Sequence, residues 1–291
     1  MKVGLGLPIS EPGALLEWAR HAEEGPFSTL ALLDRLVYDN PEPLVALSVL
    51  AGATARIRLQ TEVLLAPLRE PALLAKQCAT LDRMSGGRFT LGIGLGARRD
   101  DYEAVGVDVH RRGARLDEML EVMRRVWSGG PSGEGIGPIG PEPGRRGGPE
   151  MLFGAFSPAG IRRAARVGDG FLCAAHLSDA GDLFRATETE WQAQGRTGRP
   201  RLVAQVNAAL GPDHLIKEAR DRLYDYYSGP QYMNLPAGFA EGAAAGLLTT
   251  PGQIRDTAIR MGDVGADEVM FYCWASDVTQ VDRFAEALSG A

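Results

Sequence analysis

Thr80-Leu81-Asp82-Arg83-Met84-Ser85-Gly86-Gly87-Arg88-Phe89-Thr90-Leu91-Gly92-Ile93-Gly94-Leu95-Gly96 reads as a helix end, a glycine turn and a buried strand that finishes in glycines. Gly86 and Gly87 follow the helical residues Leu81 and Met84, where a left-handed helix stop would sit. Phe89, Leu91 and Ile93 alternate with smaller residues, as one face of a strand does. Gly92, Gly94 and Gly96 remove side chains at alternate positions, which makes room for a flat ligand against the backbone or simply marks a Gly-rich core strand.

Outward from this unit the chain keeps alternating. Short apolar strands are expected over 3–7, 30–33, 57–65, 88–93, 151–153, 171–175, 202–209 and 268–273. Helices are expected over 13–24, 43–53, 71–84, 112–127, 158–167, 178–194, 213–227, 250–261 and 278–288. Pro71, Pro158 and Pro251 stand near helix starts, where a missing N–H costs nothing. Residues 129–149 are rich in Gly and Pro and read as a long surface loop; 229–246 reads as an irregular, small-residue-rich insertion. Eight strand–helix units in 291 residues point to one (β/α)8 barrel domain over 1–291, with an open doubly wound sheet as the competitor.

Composition narrows the class. With 45% hydrophobic and 23% charged residues the chain is an ordinary globular protein, and a net charge of −6 gives no electrostatic case for nucleic acid or an anionic membrane. Cys78, Cys173 and Cys273 are far apart in apolar runs and offer neither a disulfide framework nor metal spacing. No apolar run reaches the length of a membrane span and no signal-peptide pattern opens the chain, so a cytoplasmic location is expected.

In a barrel, function gathers at the C-terminal ends of the strands. That filter selects Pro8 and Ile9, Asp34 and Arg35, 62–66, 94–101, 154–157, His176, Asn207 and Trp274. Asp34 could orient a ligand or move a proton, or simply pair with Arg35. Glu62, inside an apolar run, needs a partner such as Arg58 or Arg69, or a raised pKa. His176 is the histidine that directly follows a strand and so the one to test as acid or base. Gly154-Ala155-Phe156-Ser157-Pro158 lies between strand and helix; its N–H groups and the Ser157 hydroxyl could hold a phosphate, while Ser157 is also a natural helix cap. Walker A, GxSxG and HExxH patterns are absent, and Gly92–Gly96 lacks the third glycine of a dinucleotide fingerprint.

The run 73–88 continuing into Leu91-Gly92-Ile93-Gly94-Leu95-Gly96 resembles the bacterial luciferase-like flavin-dependent oxidoreductases. So do Asp101-Tyr102-Glu103-Ala104-Val105-Gly106-Val107, Arg112-Gly113, Asp117-Glu118 and Arg163-Ala164-Ala165-Arg166-Val167-Gly168-Asp169-Gly170. The resemblance implies a TIM-type barrel that binds reduced FMN, or the deazaflavin F420, at its C-terminal face. It implies that Glu62-Val63 holds a non-prolyl cis bulge behind the ring, that Gly94 and Gly96 border the ring, and that 154–157 takes the phosphate. Arg35 stands where many family members place a histidine, so that base does not carry over. The expected activity is a monooxygenase using reduced FMN and O2 on a small apolar or aromatic molecule; Trp274, Tyr272 and Phe156 either line such a site or belong to the core or a subunit interface. A separate flavin reductase and a homodimer are expected partners. An F420-dependent hydride-transferring enzyme and a non-catalytic flavin-binding homologue are the alternatives.

Overall fold

The computed structural model describes residues 1–7, 11–233 and 235–290, with only the backbone of Ser132; Pro8 and Ile9, two of the candidate positions, lie outside the described residues. Eight parallel strands form the sheet: β1 Lys2–Gly6, β2 Thr29–Leu32, β3 Arg58–Thr61, β4 Phe89–Gly94, β5 Glu150–Gly154, β6 Gly170–Cys173, β7 Arg201–Ala208 and β8 Glu268–Cys273. Each pairs with its neighbours in chain order, and β8 pairs back to β1 through Lys2↔Glu268 to Gly6↔Tyr272, so the sheet closes. The open-sheet alternative is thereby excluded, and the fold is a TIM-type barrel.

The helices are α1 Leu15–Glu24, α2 Pro43–Ala53, α3 Pro71–Met84, α4 Arg99–Glu103, α5 Arg112–Trp127, α6 Pro158–Val167, α7 Leu177–Ala193, α8 Asp213–Tyr227, α9 Phe239–Ala245, α10 Pro251–Asp263 and α11 Thr279–Ser289. Strand pleating sorts the side chains between two cores. Phe89, Leu91 and Ile93 of β4, with Phe271 of β8, belong to the outer core between barrel and helices, where Phe271 stacks on Phe284 of α11. Leu152, Leu172, Val203, Met270 and Tyr272 form the inner core.

The bottom of the barrel is sealed by charge. Arg58 meets Glu150 at 2.9 Å and Arg201 meets Glu150 at 2.5 Å. Arg201 also pairs with Glu268, which accepts from Ser28. Gly86 and Gly87, at φ +66° and +81°, end α3, and Arg88 donates to the carbonyls of Ala51, Thr54 and Ile57 at 2.8–3.0 Å. The first half of the opening stretch is therefore scaffold at the bottom face, and its last glycines reach the top.

Three segments depart from the sequence expectation. The run 57–65 is not one strand: β3 stops at Thr61 and pairing resumes only at Leu64–Leu65, against Ile93 and Gly94. The loop 129–149 contains a small hairpin, Pro131–Gly133 with Ile136–Pro138. The insertion 229–246 contains α9 and a bridge from Tyr232 to Arg98.

Candidate active site

The interruption of β3 builds one side of the mouth. The Glu62–Val63 peptide is cis, and Glu62 N–H still donates to Leu32 O at 2.7 Å, holding the segment to β2. Val63 then projects toward β4 and β5. A Cβ on Gly94 would fall 2.5 Å from Val63 Cγ2, and one on Gly154 would fall 2.8 Å from Val63 Cγ1. A Cβ on Gly92 would fall 1.9 Å from Thr61 O, and one on Gly96 2.9 Å from Leu65 Cδ2. The glycine ladder thus clears space for residues 61, 63 and 65 of the neighbouring segment. The structure brings Glu62, Val63, Gly94, Gly96 and 154–157 together on three adjacent strands, with Val63 half-buried at the rim.

The turn 154–157 faces outward. Phe156 is 69% exposed, and Ser157 accepts from Gly160 N–H at 3.2 Å as the N-cap of α6. Among the described residues the N–H groups of Phe156 and Ser157 have no intramolecular acceptor. They sit where the partial positive charge of a ten-residue helix is strongest.

Glu62 is fully buried and has neither of the arginine partners considered from sequence. Arg58 is taken by Glu150, and Arg69 by Asp34 and Glu42. Its Oε2 accepts from Gln60 Nε2 at 2.9 Å, while Glu62 Oε1 and Gln60 Oε1 have no partner among the described residues. Burial pushes its carboxyl up to about 8 against the lowering effect of the Gln60 bond.

Asp34 is buried too, and its Oδ2 accepts from Leu65 N–H at 2.9 Å and Arg69 Nη2 at 2.8 Å. Burial raises its pKa and the Arg69 guanidinium opposes the rise. Its observed contacts fix the chain after Val63. His176, the other acid–base candidate, is the exposed N-cap residue of α7, with no side-chain hydrogen bond among the described residues. It follows β6, four strands round the barrel from Asp34, so the two candidates stand on opposite sides of the mouth.

Arg35 turns away from Asp34. Its Nε donates to Asp101 Oδ2 at 3.1 Å, and its guanidinium carbon lies 5.1 Å and 5.2 Å from the ring centres of Tyr38 and Tyr226. Asp101 in turn accepts from the N–H groups of Leu36 and Val37. Tyr226 packs on Trp274 at 5.1 Å, and Trp274 Nε1 donates to Asn207 Oδ1 at 2.8 Å. A short antiparallel pairing, Arg99 N–H to Gln231 O and Met233 N–H to Ala97 O, straps the loop after β4 to the segment after α8. This aromatic wall was missed from sequence apart from Tyr272 and Trp274. The signal was there: four of the chain's seven tyrosines fall between 224 and 232. The three cysteine thiols are buried and pushed up, which removes them as nucleophiles.

Known proteins resemble this chain in sequence and in fold. An uncharacterized protein of Mycobacterium tuberculosis is 32% identical over 190 residues, 61% of this chain, and the chain spans 65% of that relative's length. The oxygenase component of a flavin-dependent trigonelline monooxygenase from Acinetobacter baylyi is 36% identical over 91 residues, 31% of this chain and 25% of that one. An F420-dependent secondary alcohol dehydrogenase, solved with an F420–acetone adduct, superposes with a TM-score of 0.79 at 19% identity over 99% of both chains, a likeness of fold. The model of the luciferase-like monooxygenase family matches residues 3–270, and the chain belongs to that family.

Proposed function

We propose that the protein is a flavin-dependent monooxygenase that uses reduced FMN and O2 on a small, neutral, largely apolar or aromatic organic molecule. The observation that supports this reading is the shoulder of Val63, set between Gly94 and Gly154 and next to the unpartnered N–H groups of Phe156 and Ser157. The residues fit a flat ring with a phosphate tail. Val63 would meet one ring face, Gly94 and Gly96 would leave its border clear, and the start of α6 would take the phosphate without a lysine. Glu62 lies behind the same shoulder as a neutral acid. When bound, reduced FMN supplies the electrons that activate O2, so that one oxygen atom enters the substrate and the other leaves as water.

The protein's own part is to bind, orient and keep water out. The tyrosine wall and Trp274 supply the dry side of the site. At the end of β2 the Arg35 guanidinium is locked on Asp101 and supplies no base, which leaves an F420-dependent enzyme and a non-catalytic flavin-binding homologue as the alternatives. Reduced flavin would come from a separate reductase. The chain would self-associate through α2, which carries no charged side chain yet exposes Val45 and Val49, with Leu73 of the adjacent α3 beside them.

Cofactor titration of the purified protein tests the reading. Saturable binding of FMN in preference to F420, with oxygen consumed when reduced FMN and substrate are supplied, is expected. Tight F420 binding and turnover without oxygen would refute it. Flavin binding without turnover on a broad substrate panel would leave a binding protein instead.

A further inference from the structure

The mouth of the barrel is filled unevenly. On the β8–β1–β2 side Tyr272 lies across Gly6, where a Cβ would come within 2.4 Å of its ring, and Trp274 and Tyr226 continue that wall upward. On β7 the inward positions are marked from below. Arg201 points in to Glu150 and Glu268, and Val203 belongs to the inner core. With side chains alternating, Gln205 and Asn207 are the next two inward positions, opposite Met270 and Tyr272 of β8. Both are half-buried amides, next to the apolar and aromatic side chains of Met270, Tyr272 and Trp274.

The Asn207 amide has a defined orientation. An indole N–H can only donate, so the Asn207 atom 2.8 Å from Trp274 Nε1 is the carbonyl oxygen, and the NH2 group turns the other way. Among the described residues neither that NH2 nor the Gln205 amide forms a hydrogen bond. The nearby cations are already matched, Arg35 to Asp101 at 3.1 Å and Arg98 to Asp100 at 2.5 Å. A donor without a free cation favours an uncharged acceptor over a carboxylate.

We propose that Asn207, with Gln205 beneath it, is the substrate-orienting hydrogen-bond donor of this mouth, selecting neutral organic molecules whose apolar body carries an acceptor oxygen such as a carbonyl. Its catalytic consequence rests on the flavin-enzyme reading; the contact itself does not. The test uses the full chain with FMN supplied, and equilibrium dialysis of three probes of one size: acetophenone, ethylbenzene and benzoate. Acetophenone should bind about ten-fold more tightly than either of the others, the worth of one hydrogen bond. Asn207→Asp keeps an acceptor for Trp274 but replaces the donor by a second acceptor. It should lose about ten-fold in acetophenone affinity while ethylbenzene and FMN affinities stay unchanged. Gln205→Leu, which leaves the Trp274 bond intact, should lower acetophenone binding by a smaller factor and keeps the test alive if the first variant does not fold. Equal binding of acetophenone and ethylbenzene, or of no probe at all, overturns the proposal. So does an Asn207→Asp protein that binds acetophenone as the parent does or loses FMN instead. If acetophenone is preferred but FMN does not bind, the flavin reading falls and the Asn207 assignment stands.

Discussion

Replacing Glu62 by glutamine should stabilise the protein, and the gain should grow as pH rises. Glu62 is buried, among the described residues its carboxyl accepts a hydrogen bond from Gln60 alone, and that carboxyl is pushed from 4.5 to about 8. Below pH 4.5 it is neutral in the folded and unfolded chain alike and costs nothing. Between that pH and about 8 the unfolded chain releases a proton that the folded chain retains. The unfolded state then binds fewer protons, so stability falls with rising pH, by about 1.4 kcal/mol per pH unit. Carried across the whole interval, the loss reaches about 5 kcal/mol before it levels off. Glu62→Gln has no proton to lose. Its amide oxygen can still accept from Gln60 Nε2, and its NH2 can reach for the Gln60 oxygen that has no partner. Urea denaturation of both proteins between about pH 5.5 and 8 isolates this group, because the other titrations cancel in the difference; the stability gap should widen by about 3 kcal/mol over that range. A gap that stays flat would mean that Glu62 is ionised in the folded protein, and the neutral acid behind Val63 would have to be abandoned.

Other perturbations test the parts around it. Gly94→Ala puts a methyl group 2.5 Å from Val63 Cγ2, so it should cost about 1–3 kcal/mol of stability. Gly94→Ala/Val63→Ala should recover that stability yet bind FMN more weakly than the parent; full recovery of both would show that Val63 is no ring wall. Asp34→Ala leaves the Leu65 N–H without its acceptor and Arg69 with Glu42 alone, and should destabilise by about 1–3 kcal/mol in urea, whereas a loss under about 0.5 kcal/mol would make the pair ornamental. Val45→Lys/Val49→Glu charges the 66% and 54% exposed positions of α2 and should give a monomer by sedimentation velocity. An unchanged mass would place the subunit contact elsewhere.

Much of the frame was legible because local chemistry punctuates it. Prolines at the first turn of α3, α6 and α10 and the glycines after α3 mark helix ends by what their backbones can and cannot do. The break in β3 was not legible, since Thr61-Glu62-Val63-Leu64-Leu65 reads as an unbroken extended run whichever way its peptides lie. Pairings were harder still. Arg58 and Glu62 share a strand face, but four residues of strand separate them by about 13 Å, too far for an ion pair. Arg69 was drawn off by Asp34 across a turn that no spacing displays. The tyrosine wall depends on the strap between 97–99 and 231–233, a contact across more than 130 residues, and only that contact turns a cluster of tyrosines into one side of a site.

The charges near the mouth are consistent in what they leave undone. Arg35 is bound to Asp101, Arg98 to Asp100, and Asp34 to Arg69, so each is matched by an opposite charge within 3.1 Å. Glu62 escapes pairing only by staying neutral. A site that supplied its own acid and base would need one of these groups unpaired and facing the substrate, with a pKa tuned to its task. Among the described residues the wall between them carries backbone N–H groups, glycines and the amides of Gln205 and Asn207, which position molecules. His176 stands exposed at the rim. On the flavin reading the barrel would provide orientation, enclosure and a fixed field, and the bound cofactor the reactive chemistry.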